Sequence, residues 1–321
     1  MDFNLQTTDT QADAPQQHVR VLILGSGPAG LSAALYAARA DLQPLVLTGM
    51  DLGGQVSLTH IVENYPGFPE GIGGPELVDL FQKQAERFGA RVEMDTATAV
   101  DLSQRPFRVQ TYANEYLADS LIIATGATPR HLGVPGEKEL TGRGVSYCGT
   151  CDGWFFKDKD VIVVGGGDSA LEEGIFLTRY ASSVTIVHRR DQLRASTILQ
   201  KRAHENEKIS FIWNTVVTEI VGEDKVEAVR LQDKTTGEER LHPIDGVFIF
   251  IGHVPNTQLF QGQLELDANG YIVADSRMHT SVPGVFVAGE AADSTFRQVI
   301  TSAGMGAAAA IQATHFLEEN S

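Results

Sequence analysis

Cysteine is almost missing from this chain: there are two in 321 residues, both in the tetrapeptide Cys148-Gly149-Thr150-Cys151. A structural zinc site normally takes four ligands, and without a second CxxC that reading is disfavoured. Basic charge is short as well. With 25 Lys+Arg against 41 Asp+Glu the net charge is −16, which argues against nonspecific attachment to nucleic acid or anionic membrane. No run approaches the ~18 consecutive apolar residues of a membrane span, and the N-terminus lacks the basic-then-apolar order of a secretion signal. Residues 1–17 carry no helical or strand period and are expected to form a flexible tail. The expectation is a cytoplasmic protein with neither a nucleic-acid nor a membrane partner. In that reducing setting an isolated CxxC reads as catalytic. Its spacing lets the sulfurs close a small disulfide ring, and one thiol of such a pair commonly has a lowered pKa, which supplies the thiolate that exchange requires.

What is present repeats once. Val21-Leu22-Ile23-Leu24 leads into Gly25-Ser26-Gly27-Pro28-Ala29-Gly30 and a small-residue helix over 31–40. Val161-Ile162-Val163-Val164 leads into Gly165-Gly166-Gly167-Asp168-Ser169-Ala170 and a second helix over 171–180. Strand, glycine-rich turn and helix make a dinucleotide site: the glycines permit a tight turn and close approach of a pyrophosphate, which sits on the helix N-terminus. One such motif is weak, but two in one chain imply two dinucleotides. A second echo supports the duplication. Leu121–Gly126, ending in Ala124-Thr125-Gly126, is followed by Pro129, and Val247–Gly252 by Pro255. These segments are read as two crossings that join an inserted domain, 129–255, to a discontinuous one, 18–128 with 256–321. The fold class is α/β, with two three-layer (ββα) dinucleotide-binding domains and a hinge at the crossings.

Where an NAD-selective site commonly holds an acid at the end of its second strand, the second module runs His188-Arg189-Arg190-Asp191-Gln192-Leu193-Arg194, with three arginines in place of the acid. His188, Arg189, Arg190 and Arg194 form a set suited to a 2′-phosphate, so NADPH is expected on Gly165, Gly167, Asp168, Ser169 and Ala170. The first module also lacks a ribose-binding acid after Leu45-Val46-Leu47, which leaves its ligand open. A nicotinamide gives a hydride while sulfur exchanges through thiolates, so a flavin is the natural converter between them, and FAD fits the first module.

These residues, together with Gly53-Gly54-Gln55, Glu63-Asn64-Tyr65-Pro66-Gly67, Asp152-Gly153, Pro255-Asn256-Thr257 and Arg297-Gln298, closely resemble the low-molecular-weight, bacterial-type NADPH-thioredoxin reductases from about Val19 to the C-terminal helix. The resemblance implies electron transfer from NADPH through FAD and a Cys148–Cys151 disulfide to thioredoxin. Under it Cys151 faces the flavin, Cys148 attacks thioredoxin and Asp152 is the general acid/base. Gly25, Gly27, Pro28, Ala29, Gly30, Gly54, Gln55, Asn64, Ala124, Thr125, Gly126, Gly289, Glu290, Arg297, Gln298 and Val299 would hold FAD. A homodimer is implied, as is rotation of the inserted domain, since nicotinamide and dithiol must take turns at one flavin. One residue departs from the pattern: Glu290 stands where the family usually has Asp, which should weaken FAD binding unless the loop shifts or Asp293 substitutes. The alternative is a flavin-dependent disulfide oxidoreductase with another partner, oxygen or a glutaredoxin-like protein.

Overall fold

The computed structural model describes residues 16–320 except Asp51 and His60. Residues 1–15 of the expected tail therefore lie outside the described residues, but Gln16 and Gln17 do not. They begin strand β1 (Gln16–Leu24). Their register is Gln16 opposite Glu115 and Gln17 opposite Tyr116, and Gln16 Nε2 donates to Glu115 Oε1 at 2.7 Å. A pairing partner, not an apolar pattern, recruits them into the sheet.

After β1 come α1 (Pro28–Arg39), β2 (Leu45–Leu47), α2 (Gly74–Arg87), β3 (Arg91–Glu93), β4 (Ala97–Asp101), β5 (Phe107–Thr111) and β6 (Glu115–Ile123). The short strand β7 (Ala127–Pro129) leads to β8 (Val145–Ser146), the one-turn helix α3 (Gly149–Asp152), β9 (Asp160–Gly165), α4 (Asp168–Leu177), β10 (Ser183–Val187) and α5 (Thr197–His204). Then follow β11 (Ile209–Ile212), β12 (Thr215–Val221), β13 (Ala228–Asp233), β14 (Glu239–Pro243) and β15 (Gly246–Phe250). Strand β16 (His253–Pro255) pairs with β7, and β17 (Val285–Val287) and α6 (Val299–Glu319) complete the chain.

The chain divides into two compact units. One comprises the N-terminal segment through Ser57, Pro75–Gly126 and Pro255 onward; the other comprises Leu58–Gly74 and Ala127–Val254. The division differs from the expected boundaries chiefly at Leu58–Gly74, which groups with the second unit. That segment closes on itself through a Val62–Ile72 bridge and a Gly74 N to Thr59 O hydrogen bond of 3.1 Å.

In the first unit the sheet runs β3-β2-β1-β6-β5-β4. Strand β6 is forked: its first half pairs antiparallel with β5, and its last three residues pair parallel with β17. Alternate residues of β1 feed two cores. Val21 and Ile23 pack with the alanines of α1 and α6, while Leu22 and Leu24 pack with Phe107, Tyr116 and Phe260 on the other face. The small residues of α1 let it approach α6 closely, to the point that a Cβ at Gly306 would strike the Ala29 carbonyl oxygen. The second unit repeats the plan, with a parallel sheet β11-β10-β9-β15-β8 and an antiparallel β12-β13-β14 sheet.

Candidate active site

In the first unit the glycine-rich turn connects β1 to α1. Gly25 has φ +110°, and a side chain there would strike the Ala124 carbonyl oxygen at the end of β6. Gly30 is equally confined, by the Gly25 carbonyl oxygen. Gly27 is different. It caps α1 with no side-chain hydrogen bond, and only the Gly53 carbonyl oxygen, at 4.0 Å, comes near where its Cβ would be. Opposite lies Gly54, with φ +59° and Gly27 Cα 3.7 Å from its absent Cβ. Gly53 N donates to Ser26 Oγ at 3.0 Å, which ties this loop to the turn. Bare backbone therefore lines a cradle at a helix N-terminus, the arrangement that takes a pyrophosphate. Thr125 Oγ1 donates to the Asn256 carbonyl oxygen at 2.7 Å and Asn256 Nδ2 donates back to Thr125 O at 2.9 Å, so the Ala124-Thr125-Gly126 end of β6 is fixed.

The C-terminal segment adds to the same unit. Gly289 packs on Ala29, with 2.9 Å between its built Cβ and the alanine methyl. Arg297 adopts φ +53°, a strained backbone for a side-chain-bearing residue, and its Nε is buried with no hydrogen-bond partner among the described residues. Its conformation is held by Asp293, whose carboxylate accepts from Thr295 N and Phe296 N at 2.8 Å and from Arg297 N at 3.0 Å. Asp293 thus ties the loop down through three backbone N–H groups. Burial pushes Glu290 up to about 7, with Arg297 opposing and Asp293 assisting. Gln298 caps α6 in a reciprocal box with Thr301, and Val299 begins that helix. Gln55 is exposed in this unit, whereas Asn64 lies in an exposed turn of the second unit.

In the second unit β9 enters Gly165, whose absent Cβ would lie 2.6 Å from the Ala170 methyl, and Gly167 caps α4 with open space around it. Arg189, Arg190 and Arg194 are exposed. Their loop is tied to the turn twice, by Arg194 N to Gly166 O at 2.7 Å and by Ser196 N to Asp168 Oδ1 at 2.7 Å. His188 behaves differently from its neighbours. It is 5% exposed, its ring packs on Gly166, and burial holds it below the usual imidazole range. This buried ring lies against the backbone of the turn, whereas the three arginines are exposed. Ser169 is exposed at the helix start and Ala170 is buried behind it.

The two cysteines of this unit form a disulfide, Cys148–Cys151. Cys148 Sγ caps α3, accepting from Cys151 N at 3.2 Å. Ser146, on β8, accepts from Cys148 N at 3.1 Å and donates to Asp152 Oδ2 at 2.6 Å. Burial lifts Asp152 above the usual carboxylate range, against the lowering pull of the Ser146 hydroxyl. A half-buried carboxyl whose pKa is raised next to a disulfide is suited to give a proton to a leaving sulfur. Ser146 was not legible as a site residue; its only signal is its place two residues before the motif on a strand.

A bonded CxxC, a carboxyl raised beside it and two glycine-rich turns at helix N-termini thus occur in one chain. The sequence matches the family of pyridine nucleotide-disulphide oxidoreductases over residues 19–306. The chain belongs to the pyridine nucleotide-disulphide oxidoreductase family. Among curated members, a thioredoxin reductase of Mycolicibacterium smegmatis is 54% identical over 93% of this chain and 96% of its own length. One from Rickettsia conorii is 52% identical over 94% of this chain and 98% of its own. The crystal structure of thioredoxin reductase from Streptococcus pyogenes superposes with a TM-score of 0.90 at 46% identity, covering 94% of this chain and 99% of that one. The α/β fold of this oxidoreductase, with two dinucleotide-binding units, is that of these relatives.

Proposed function

We propose that this chain is a thioredoxin-disulfide reductase that carries electrons from NADPH through FAD and the Cys148–Cys151 disulfide to thioredoxin. The observation that carries the reading is the bonded CxxC in the unit that also bears the arginine-flanked glycine turn, together with relatives named thioredoxin reductase along nearly the whole chain.

The residues present fit both cofactors. In the first unit the cradle of Gly27 and Gly54, the uncapped start of α1 and the orphaned Arg297 Nε match an anionic dinucleotide. Gly25, Pro28, Ala29, Gly30, Ala124, Thr125, Gly126, Gly289, Glu290, Gln298 and Val299 would complete the FAD site. In the second, Gly165, Gly167, Asp168, Ser169 and Ala170 would hold the NADPH pyrophosphate, with Arg189, Arg190 and Arg194 at its 2′-phosphate. When bound, FAD supplies a relay for the two electrons of a nicotinamide hydride. Asp152, pinned by Ser146, would hold the proton that one sulfur takes as the disulfide opens. Cys148, as thiolate, would attack the thioredoxin disulfide to give a mixed disulfide; Cys151 would then displace it, restoring the Cys148–Cys151 bond and releasing the thioredoxin dithiol.

Coenzyme and dithiol share the second unit, which supports a cycle in which that unit rotates about the β7 and β16 crossings. A covalent crosslink between the units should stop turnover, and undiminished turnover would refute rotation. Homodimerisation and a cytoplasmic setting belong to the same reading; among the described residues no helix is long and apolar enough to cross a membrane. An anaerobic NADPH titration followed by absorbance and thiol counting tests the whole. Flavin taking about two reducing equivalents, and the disulfide two more, is expected; a protein that binds no flavin would overturn it.

A further inference from the structure

Asn214 stands in the left-handed region, with φ +50°. That conformation is costly for most residues that carry a side chain, and glycine and asparagine tolerate it best. Here it turns the chain from β11 into β12. The turn is held from several sides. The Trp213 ring stacks on Phe211, with centroids 5.0 Å apart and planes 4° from parallel, and Trp213 O accepts from Thr215 Oγ1 at 2.7 Å. Asn214 O accepts at 2.7 Å from Lys234 N, just past the end of β13. On the other side of the turn, Asn214 N donates to Arg190 O at 3.2 Å. Thr215 N donates to His188 O at 3.0 Å, and His188 N donates to Ile212 O at 2.9 Å. These three bonds fasten the start of the basic loop to the β11–β12 turn. Its far end is fastened elsewhere, to the glycine-rich turn, through Arg194 N and Ser196 N. Arg190 is exposed, and its main chain rests directly on Asn214. A left-handed residue braced in this way points to a constraint that serves its neighbour.

We propose that Asn214 is a positioning residue for coenzyme selection: its left-handed turn braces the basic loop against the antiparallel sheet β12-β13-β14 and so presets Arg190 for a 2′-phosphate. The inference rests on the reading that these arginines take that phosphate. A loop ordered before binding loses less freedom when the coenzyme arrives. The benefit therefore falls on a coenzyme that carries the phosphate and not on one that lacks it.

The test is calorimetric titration of the oxidised, FAD-loaded protein with NADP+ and with NAD+, which bind without reducing it. Asn214→Val has a branched side chain that resists a positive φ. It should weaken NADP+ about three- to tenfold, as for the loss of one hydrogen bond, and NAD+ by less than about twofold. Asn214→Gly adopts the same φ freely and should bind both coenzymes as wild type does. In an Arg190→Ala background Asn214→Val should bring no further loss of NADP+, because the turn acts through Arg190. Equal losses for the two coenzymes, unchanged NADP+ affinity in Asn214→Val, or an undiminished loss in the Arg190→Ala background would each overturn the proposal. If Asn214→Val does not fold, Asn214→Ala, which crowds the turn less but still resists it, is read in the same way. A wild type that binds NAD+ as tightly as NADP+ would instead refute the reading of the arginines.

Discussion

Replacing Ser146 by alanine isolates the proton that Asp152 is proposed to handle. The hydroxyl donates to Asp152 Oδ2 at 2.6 Å and stabilises the ionised carboxylate, against the burial that raises it. A hydrogen bond to a charged group contributes about 1.5–3 kcal/mol, which is roughly one to two pKa units. Water reaches this half-buried side chain, so the lower figure applies, and Ser146→Ala should raise Asp152 by about one unit more. If the protonated carboxyl is the donor, reduction of the disulfide is lost as pH rises through the Asp152 pKa. The alkaline limb of the rate profile should therefore move about one pH unit upward in Ser146→Ala and disappear in Asp152→Asn. The assay is single-turnover reduction of the disulfide by NADPH in the FAD-loaded enzyme, quenched and counted for thiols across pH. Superimposable profiles for wild type and Ser146→Ala would refute the reasoning, because no other change alters Asp152 so directly.

Arg189→Ala or Arg190→Ala should raise the NADPH Kd about 10- to 100-fold and leave NADH nearly unchanged, measured by titration; equal losses would remove the 2′-phosphate assignment. Gly306→Ala should cost about 1–3 kcal/mol in denaturant unfolding, because the new methyl meets the Ala29 carbonyl oxygen, whereas Gly304→Ala, with nothing within 4 Å, should be neutral or stabilising. Glu290 has its pKa raised in the fold to about 7 from an ordinary 4.5, so the stability it contributes is complete below about 4.5 and is lost as pH rises through 7. In the flavin-free protein Glu290→Gln should therefore be more stable than wild type at pH 8 by about 1–2 kcal/mol, after allowing for partial exposure, and no more stable at pH 4.5.

The glycine turns were legible because Gly25 and Gly30 face carbonyl oxygens closer than any side chain permits, and such steric needs are written directly into sequence. The same holds for the bonded CxxC. Less could be read where space, not sequence, makes the neighbours. Ser146 reaches Cys148 N and Asp152 from β8, and it carries no motif. His188 read as one of a basic run, yet the buried end of β10 turns its ring inward under Gly166. The loop-holding part of Asp293, which accepts from three backbone N–H groups, had no signal in the sequence. The excursion at Leu58–Gly74 was hidden because the short bridge that closes it, Val62 with Ile72, leaves no run of strand alternation.

The forked pairing of β6 gives the chain an order of assembly. The sheet of the first unit waits for β17, and α1 waits for α6, and both of those partners are synthesised after the whole of Ala127–Val254. On a ribosome the inserted unit has every strand of its parallel sheet in hand while its host still lacks one. The disulfide-bearing unit is therefore the part able to finish folding first, and the host closes around strands whose partners lie more than 150 residues apart, about 164 in the pairing of Leu121 with Val285.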